Sequence, residues 1–201
     1  MPASVHRSFL LLLALTMALT PVRARAQTED DPGRRPSPIG IAKTHIGDAY
    51  VKVPYGRPYI RDRQIFGPDS TYLVPFDRLW RTGANEATEI TITEPLVVGS
   101  SRLDAGTYAL FTVPGPEKWE IRVSPQQGLD GTGWLDPETG EFTPDVYDPD
   151  RDLATFTVSA EVTEEVVDPL TLEFEPADDG ADLVLRWERT EVRIPVRPPG
   201  D

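Results

Sequence analysis

Thr155-Phe156-Thr157-Val158-Ser159-Ala160-Glu161-Val162 alternates polar and apolar side chains without a break. A period of two puts Phe156, Val158, Ala160 and Val162 on one face and Thr155, Thr157, Ser159 and Glu161 on the other. That is a β-strand with one face in a core and one in water. The pattern returns downstream. Leu170, Leu172 and Phe174 alternate with Thr171, Glu173 and Glu175; Leu183, Leu185 and Trp187 alternate less cleanly; Val192, Ile194 and Val196 alternate with Arg193, Pro195 and Arg197. The spacing predicts four strands, with a turn at Asp178-Asp179-Gly180 between the second and third. Arg189-Thr190 is the expected hairpin tip between the third and fourth. Pro195 lacks an N–H, so the last strand is expected to be an edge or to end early.

The same reading extends upstream. Tyr50 to Val53, Thr88 to Ile92, Leu96 to Val98, Thr107 to Val113 and Trp119 to Val123 are predicted strands. Thr107 to Val113 carries apolar residues on both faces, as a central strand buried from both sides does. Asp104-Ala105-Gly106 turns into it and Pro114-Gly115-Pro116 turns out of it. Residues 55–79 and 124–152 are irregular, and no stretch carries a sustained helical stripe. Short strands punctuated by Gly and Pro predict an all-β fold, a single antiparallel β-sandwich or partly open barrel.

The N-terminus reads as an export signal. His6 and Arg7 begin it, Phe9 to Leu19 is apolar except for Thr16, and Ala24-Arg25-Ala26 is a small-x-small cleavage site. The expected organisation is a signal peptide over 1–26, a disordered linker over 27–40, a β domain over 41–197 and a tail over 198–201. The apolar run falls short of the roughly 20 residues a span needs, so no membrane insertion is expected after cleavage. The product is expected to be periplasmic or extracellular. The chain has no cysteine, which removes disulfides, a cysteine-linked lipid and a His/Cys zinc site. Burial alone must hold the core, and a domain of this size buries roughly 70% of its unfolded surface.

The net charge is −13, and loss of Arg7, Arg23 and Arg25 with the signal would leave about −16. Such a surface repels phosphate backbones and anionic lipid, so nucleic acid and membrane surfaces are poor partners. A small polar ligand or an envelope protein is the expected partner, and no cofactor or metal is implied.

The densest group of recognition-capable side chains is Trp80-Arg81-Thr82-Gly83-Ala84-Asn85-Glu86-Ala87-Thr88. Gly83 and Asn85 both tolerate positive φ, so a kinked loop is expected. Tyr55-Gly56-Arg57-Pro58, with Arg61 and Arg63 behind it, concentrates arginine in an acidic chain and could clamp an anion. The candidate site is a cleft between the two segments. Arg57 and Arg81 would supply charge, Asn85 and Glu86 directional hydrogen bonds, and Trp80 an apolar wall. The competing reading is a self-satisfied latch, in which Arg81 pairs with Glu86, Asn85 caps backbone and Trp80 fills the core.

Catalytic signals are sparse. His45 stands alone beyond the signal and sits near no nucleophile motif. A carboxylate pair acting on a glycan or ester is the enzymatic alternative, with Glu86 and Glu89 nearest the loop. A structural envelope component is the third reading. Asp148-Pro149-Asp150-Arg151-Asp152 imitates the start of a calcium loop, but lacks the central glycine and reaches Ser159 at its twelfth position. Trp119 is expected in the core, and Trp134, in a Gly-rich stretch, is a possible sugar platform.

Tyr55-Gly56-Arg57-Pro58, Ile65-Phe66-Gly67, Leu73-Val74-Pro75-Phe76, the 80–88 block and Ala105-Gly106-Thr107-Tyr108-Ala109-Leu110-Phe111 together resemble the bacterial DUF2911 family, over roughly residues 41–197. The resemblance implies an exported domain of uncharacterised function and carries over no catalytic residue or cofactor. Asp77 stands where the family tends to have glycine, Ser124-Pro125 where it often has Asn-Lys, and 128–146 is enlarged.

Overall fold

The computed structural model describes residues 37–128, 147–200 and, by backbone alone, 133–135 and 142–144. The expected signal peptide, residues 27–36 of the linker and the side chain of Trp134 lie outside the described residues. The strands in chain order are β1 (Ile39–Ile46), β2 (Ala49–Gly56), β3 (Phe66–Gly67), β4 (Val74–Pro75), β5 (Thr88–Ile92), β6 (Leu96–Val98), β7 (Ser101–Leu103), β8 (Gly106–Val113) and β9 (Lys118–Ser124). They continue with β10 (Gly133–Leu135), β11 (Phe142–Pro144), β12 (Ala154–Ala177) and β13 (Gly180–Arg197). One 3₁₀ turn, Pro149–Arg151, precedes β12. No helix among the described residues is long and apolar enough to cross a membrane.

Nine strands form one antiparallel sheet in the order β1-β2-β5-β8-β9-β12-β13-β6-β7. It is an all-β, sandwich-like fold in which the sheet bends over on itself without closing into a barrel. The bend lies in β12. Ala154 to Ser159 pair with β9, and from Ala160 onward the strand pairs with β13. One element therefore belongs to both layers. The inward residues of both layers share one core, including Val51, Val53, Ile90, Ile92, Trp119 and Ile121 from one side and Leu170, Leu172, Leu183, Leu185, Trp187 and Ile194 from the other.

β8 is buried on both faces, as its composition requires. Leu110 faces the main core, while Ala109 and Phe111 pack outside with Ala87, Tyr147 and Leu79. β5 and β6 coincide with the expected ranges. β1 was not foreseen as a strand. It starts at Ile39, two residues before the expected onset of order, and turns into β2 through Gly47 at φ 57°.

The downstream half departs from expectation. The four expected strands are two long ones, joined by the two-residue turn Asp178-Asp179 with Ala177 paired to Gly180. Arg189-Thr190 is no hairpin tip but lies inside β13. The reason is a bulge. Between the pairs Val162/Thr190 and Val167/Glu188, β12 advances five residues against two. The surplus loops outward, the strand bends, and Glu188 takes φ 54°. Arg189 Nη1 donates to the Glu164 carbonyl at 2.6 Å, satisfying backbone that the bulge leaves unpaired. β13 is also not an edge, since it lies between β12 and β6. Pro195 is tolerated because it stands just past the last β6 pair, where only its carbonyl is used, by the Gly99 N–H at 2.7 Å.

Candidate functional site

The 80–88 loop is tied to β8 and to itself. Trp80 exchanges both backbone hydrogen bonds with Thr112, at 2.7 and 2.9 Å. The Thr88 N–H donates to the Arg81 carbonyl at 3.0 Å and the Thr88 hydroxyl to the Thr82 carbonyl at 2.8 Å. Trp80 Nε1 donates to the Gly83 carbonyl at 3.1 Å. The kink is present, but Thr82 (φ 57°) and Asn85 (φ 66°) hold the left-handed positions, and Gly83 does not. Gly83 serves a different need. A Cβ there would sit 3.0 Å from the Gly56 carbonyl oxygen and 3.1 Å from the Thr88 hydroxyl.

The arginine segment meets this loop directly. A Cβ on Gly56 would lie 1.9 Å from the Ala84 carbonyl oxygen, so the two backbones touch. Arg57 turns away toward β12. Its Nε donates to the Leu170 carbonyl and its Nη2 to the Thr171 hydroxyl, both at 3.1 Å. Asn85 Nδ2 donates to the Ser37 carbonyl at 3.2 Å, so its amide holds the start of β1. Arg81 and Glu86 are half-buried in the same loop. Sequence neighbours are thus brought together here, with Arg57, Trp80 and Asn85 already engaged by the chain. Glu89, the second acid of the hydrolase alternative, accepts from the Gly128 N–H at 3.2 Å and anchors that loop.

Trp80 itself leads elsewhere. Its ring stacks on Trp187 at 5.9 Å with an interplanar angle of 17°, and Trp119 stands edge-on at 6.1 Å. Phe66 lies 4.9 Å from Trp119, 5.7 Å from Trp80 and 5.8 Å from Trp187, edge-on to each. These are the offset and T-shaped geometries that ring quadrupoles favour. Phe66 and Trp119 form the inner boundary of a hollow of about 220 Å³. Phe76 and Pro116 complete its apolar wall, and Glu161, Glu188, Arg189 and Thr190 its polar rim. Trp80 does not line the hollow; it supports two of the three rings that do, Phe66 and Trp119.

The rim is a direct product of the bulge, because Glu161 and Val162 enter from one strand and Glu188 to Thr190 from the other. The two rim carboxylates make no ion pair among the described residues. Glu191, one step further, is gripped by Arg186 at 2.5 Å and Arg193 at 2.7 Å. Val162, beside the opening, is 83% exposed.

A second polar group lies on the outer face of β8 and β9. The Tyr147 hydroxyl donates to Asp152, Arg122 reaches Tyr147 at 3.3 Å, and Glu120 holds Arg122 at 2.6 Å. Burial pushes Asp152 above the usual carboxylate range, opposed by hydrogen bonds from Tyr147 and Ser124 and by the Arg122 charge. Gln126 joins this segment to Asp148 by an amide pair at 2.7 and 2.9 Å. The Asp148 carboxylate caps the 3₁₀ turn through the Asp150 N–H at 3.1 Å. These contacts fasten residues 147–152 across the sheet. His45 is exposed and rests against Tyr50 at 5.1 Å.

Glu161, Glu188 and Arg189 were not among the residues singled out from sequence. A signal for them exists. The positions of β13 that enter the main core run 181, 183, 185, 187 and then 192, 194, 196. That change from odd to even numbers inside one apolar pattern marks either a turn or a bulge.

No curated protein and no solved structure matches the chain. The family model described as a protein of unknown function (DUF2911) matches residues 37–196. The match takes in every strand of the nine-stranded sheet and both segments of the candidate site, so this chain belongs to the DUF2911 family.

Proposed function

We propose that the domain is an exported, non-catalytic binding module that takes a small polar ligand into the hollow at the β12–β13 bulge. One observation carries the reading: a concavity of about 220 Å³ whose aromatic wall and charged rim come from five separate stretches of the chain. Apolar walls with a few convergent polar groups are the usual make-up of such sites. Glu188 supports it further. A non-glycine residue at positive φ costs about 1–2 kcal/mol, and such strain tends to be retained where a side chain must be aimed.

In this reading the 80–88 loop is the latch that holds Trp80 behind the Phe66 and Trp119 rings. Arg57, Asn85 and the backbone of Gly56 close the seam beside it. The test is a panel of small polar fragments followed by ligand-observed NMR. Hits should bind the wild type and be lost in Ala160→Phe, whose ring would enter the hollow. Arg81→Ala and Glu86→Ala should lower the melting temperature while leaving hits in place. Equal binding to Ala160→Phe, or no hit from the panel, would overturn the proposal.

A further inference from the structure

We infer that the ligand of this hollow is a compact alkylammonium ion, a protonated or quaternary amine carrying an apolar body of a few carbons. The inference rests on the binding reading above and adds the charge and size of the occupant.

Size comes first. Pockets for drug-sized ligands run from about 300 to 1,000 Å³, and this one holds about 220 Å³. A disaccharide or a nucleotide would stand largely outside it, whereas a single small ring or a branched alkyl group would be mostly covered.

Sign comes from the rim. Glu161 and Glu188 stand on opposite strands at the mouth and make no ion pair among the described residues. Arg189 is the one cation of the lining, and its Nη1 is directed to the carbonyls of Thr163 and Glu164, at 3.5 and 2.6 Å. These bonds tie the guanidinium to the bulge without cancelling its charge, so Glu161 and Glu188 against Arg189 leave the rim net negative by one. An anion would meet both carboxylates. A neutral sugar would satisfy their hydrogen bonding but not their charge.

The wall agrees with the rim. Phe66, Phe76 and Trp119 line the same space, with Trp119 almost wholly buried behind it. Ring faces attract cations, and the attraction grows when the cation is partly desolvated. Apolar walls also favour the hydrocarbon body of an amine over bare ammonium or a metal ion, which would lose hydration against those walls and find no group of three or more His, Asp or Glu side chains among the described residues. The acidic surface of the whole chain adds steering toward cations.

The probes are cyclohexylammonium, cyclohexanol and cyclohexanecarboxylate, which share a ring and differ in charge. Binding is read by calorimetry and by the indole N–H resonance of Trp119. Cyclohexylammonium should bind at least about tenfold more tightly than cyclohexanol, with the carboxylate weakest. The preference should shrink as salt rises. Glu161→Gln, at an exposed position, should remove part of the preference, and Glu161→Gln with Glu188→Gln should abolish it. If cyclohexanol matches cyclohexylammonium, the cationic assignment fails while the hollow stands as a binding site. If cyclohexanecarboxylate binds best, Arg189 governs the site and the assignment is reversed. If none of the three shifts the Trp119 resonance, the binding reading and this inference fall together.

Discussion

The Tyr55 hydroxyl both accepts from the Leu172 N–H at 2.9 Å and donates to the Leu172 carbonyl at 3.2 Å. A side chain of β2 thereby makes the two bonds that a neighbouring strand would have made to β12. With Arg57 on Leu170 and Thr171, and the Leu170 N–H on the Pro58 carbonyl at 3.0 Å, it stitches the two layers where the sheet stays open. Tyr55→Phe keeps the ring and removes both bonds. Orphaned buried polar groups cost about 1–3 kcal/mol each, so with two left unpaired a loss of about 2 kcal/mol or more is expected by urea denaturation. The Leu172 amide should also exchange faster with solvent. Burial raises the Tyr55 pKa, against the opposing hydrogen bond from Leu172. This contribution is therefore full below the unfolded tyrosine value of about 10 and declines as pH climbs toward the raised one. Unchanged stability in Tyr55→Phe would show the seam to be dispensable.

How much of this was legible in the sequence depends on the range of the forces involved. Alternation found β5, β6, β8 and β9 because side-chain parity along a strand is local. It also found the two-sided burial of β8. It read 163–169 and 189–190 as breaks, because a bulge and a turn interrupt parity in the same way and only pairing tells them apart. The cluster of polar residues at 80–88 was visible as a cluster, but its contacts were not. Whether Asn85 faces a ligand or Ser37, and whether Arg57 faces a cleft or Leu170, is decided by residues 48 and 113 positions away. The hollow was invisible for the same reason, since its rim joins strands that the sequence had divided at Arg189.

Gly56 is the point where the 55–58 segment and the 80–88 loop admit no side chain. Gly56→Ala would drive a methyl group to 1.9 Å from the Ala84 oxygen, which is backbone and cannot swing aside. Overpacking typically costs about 1–3 kcal/mol, and this substitution is expected at or above the top of that range. Gly200→Ala, with nothing within 4 Å, should be silent and serves as the control. Matching melting temperatures for the two would mean the loop can lift from β2.

The solvent face of the β12–β13 hairpin carries a ladder of ion pairs. Arg186 contacts Glu173, Glu175 and Glu191, and Arg193 contacts Glu175 and Glu191. Exposed pairs in isolation are worth little, but Glu175 bridges two arginines. Their hydrogen bonds, from Arg186 and then Arg193, lower its pKa. The stability it adds is present above the unfolded glutamate value of about 4.3 and is lost as pH falls through the depressed one. Glu175→Gln should therefore lower the melting temperature at pH 7 and converge with wild type in strong acid. A constant gap between the two curves at every pH would assign the effect to packing instead of charge.

Under the proposed function, Glu188 sets stability against binding in one residue. Its φ of 54° is a conformation that glycine adopts freely and glutamate does not. Glu188→Gly removes strain of about 1–2 kcal/mol and adds back chain entropy worth about 0.4–1 kcal/mol. The variant should be as stable as wild type or up to about 1.6 kcal/mol more so. The same change deletes one of the two rim carboxylates, so cyclohexylammonium should bind it several-fold more weakly while cyclohexanol is unaffected. A side chain kept at a position where a smaller residue gives a more stable fold is a side chain kept for another purpose. If Glu188→Gly instead loses stability, the side chain is holding the bulge together. Its unfavourable backbone then has a structural explanation that needs no ligand.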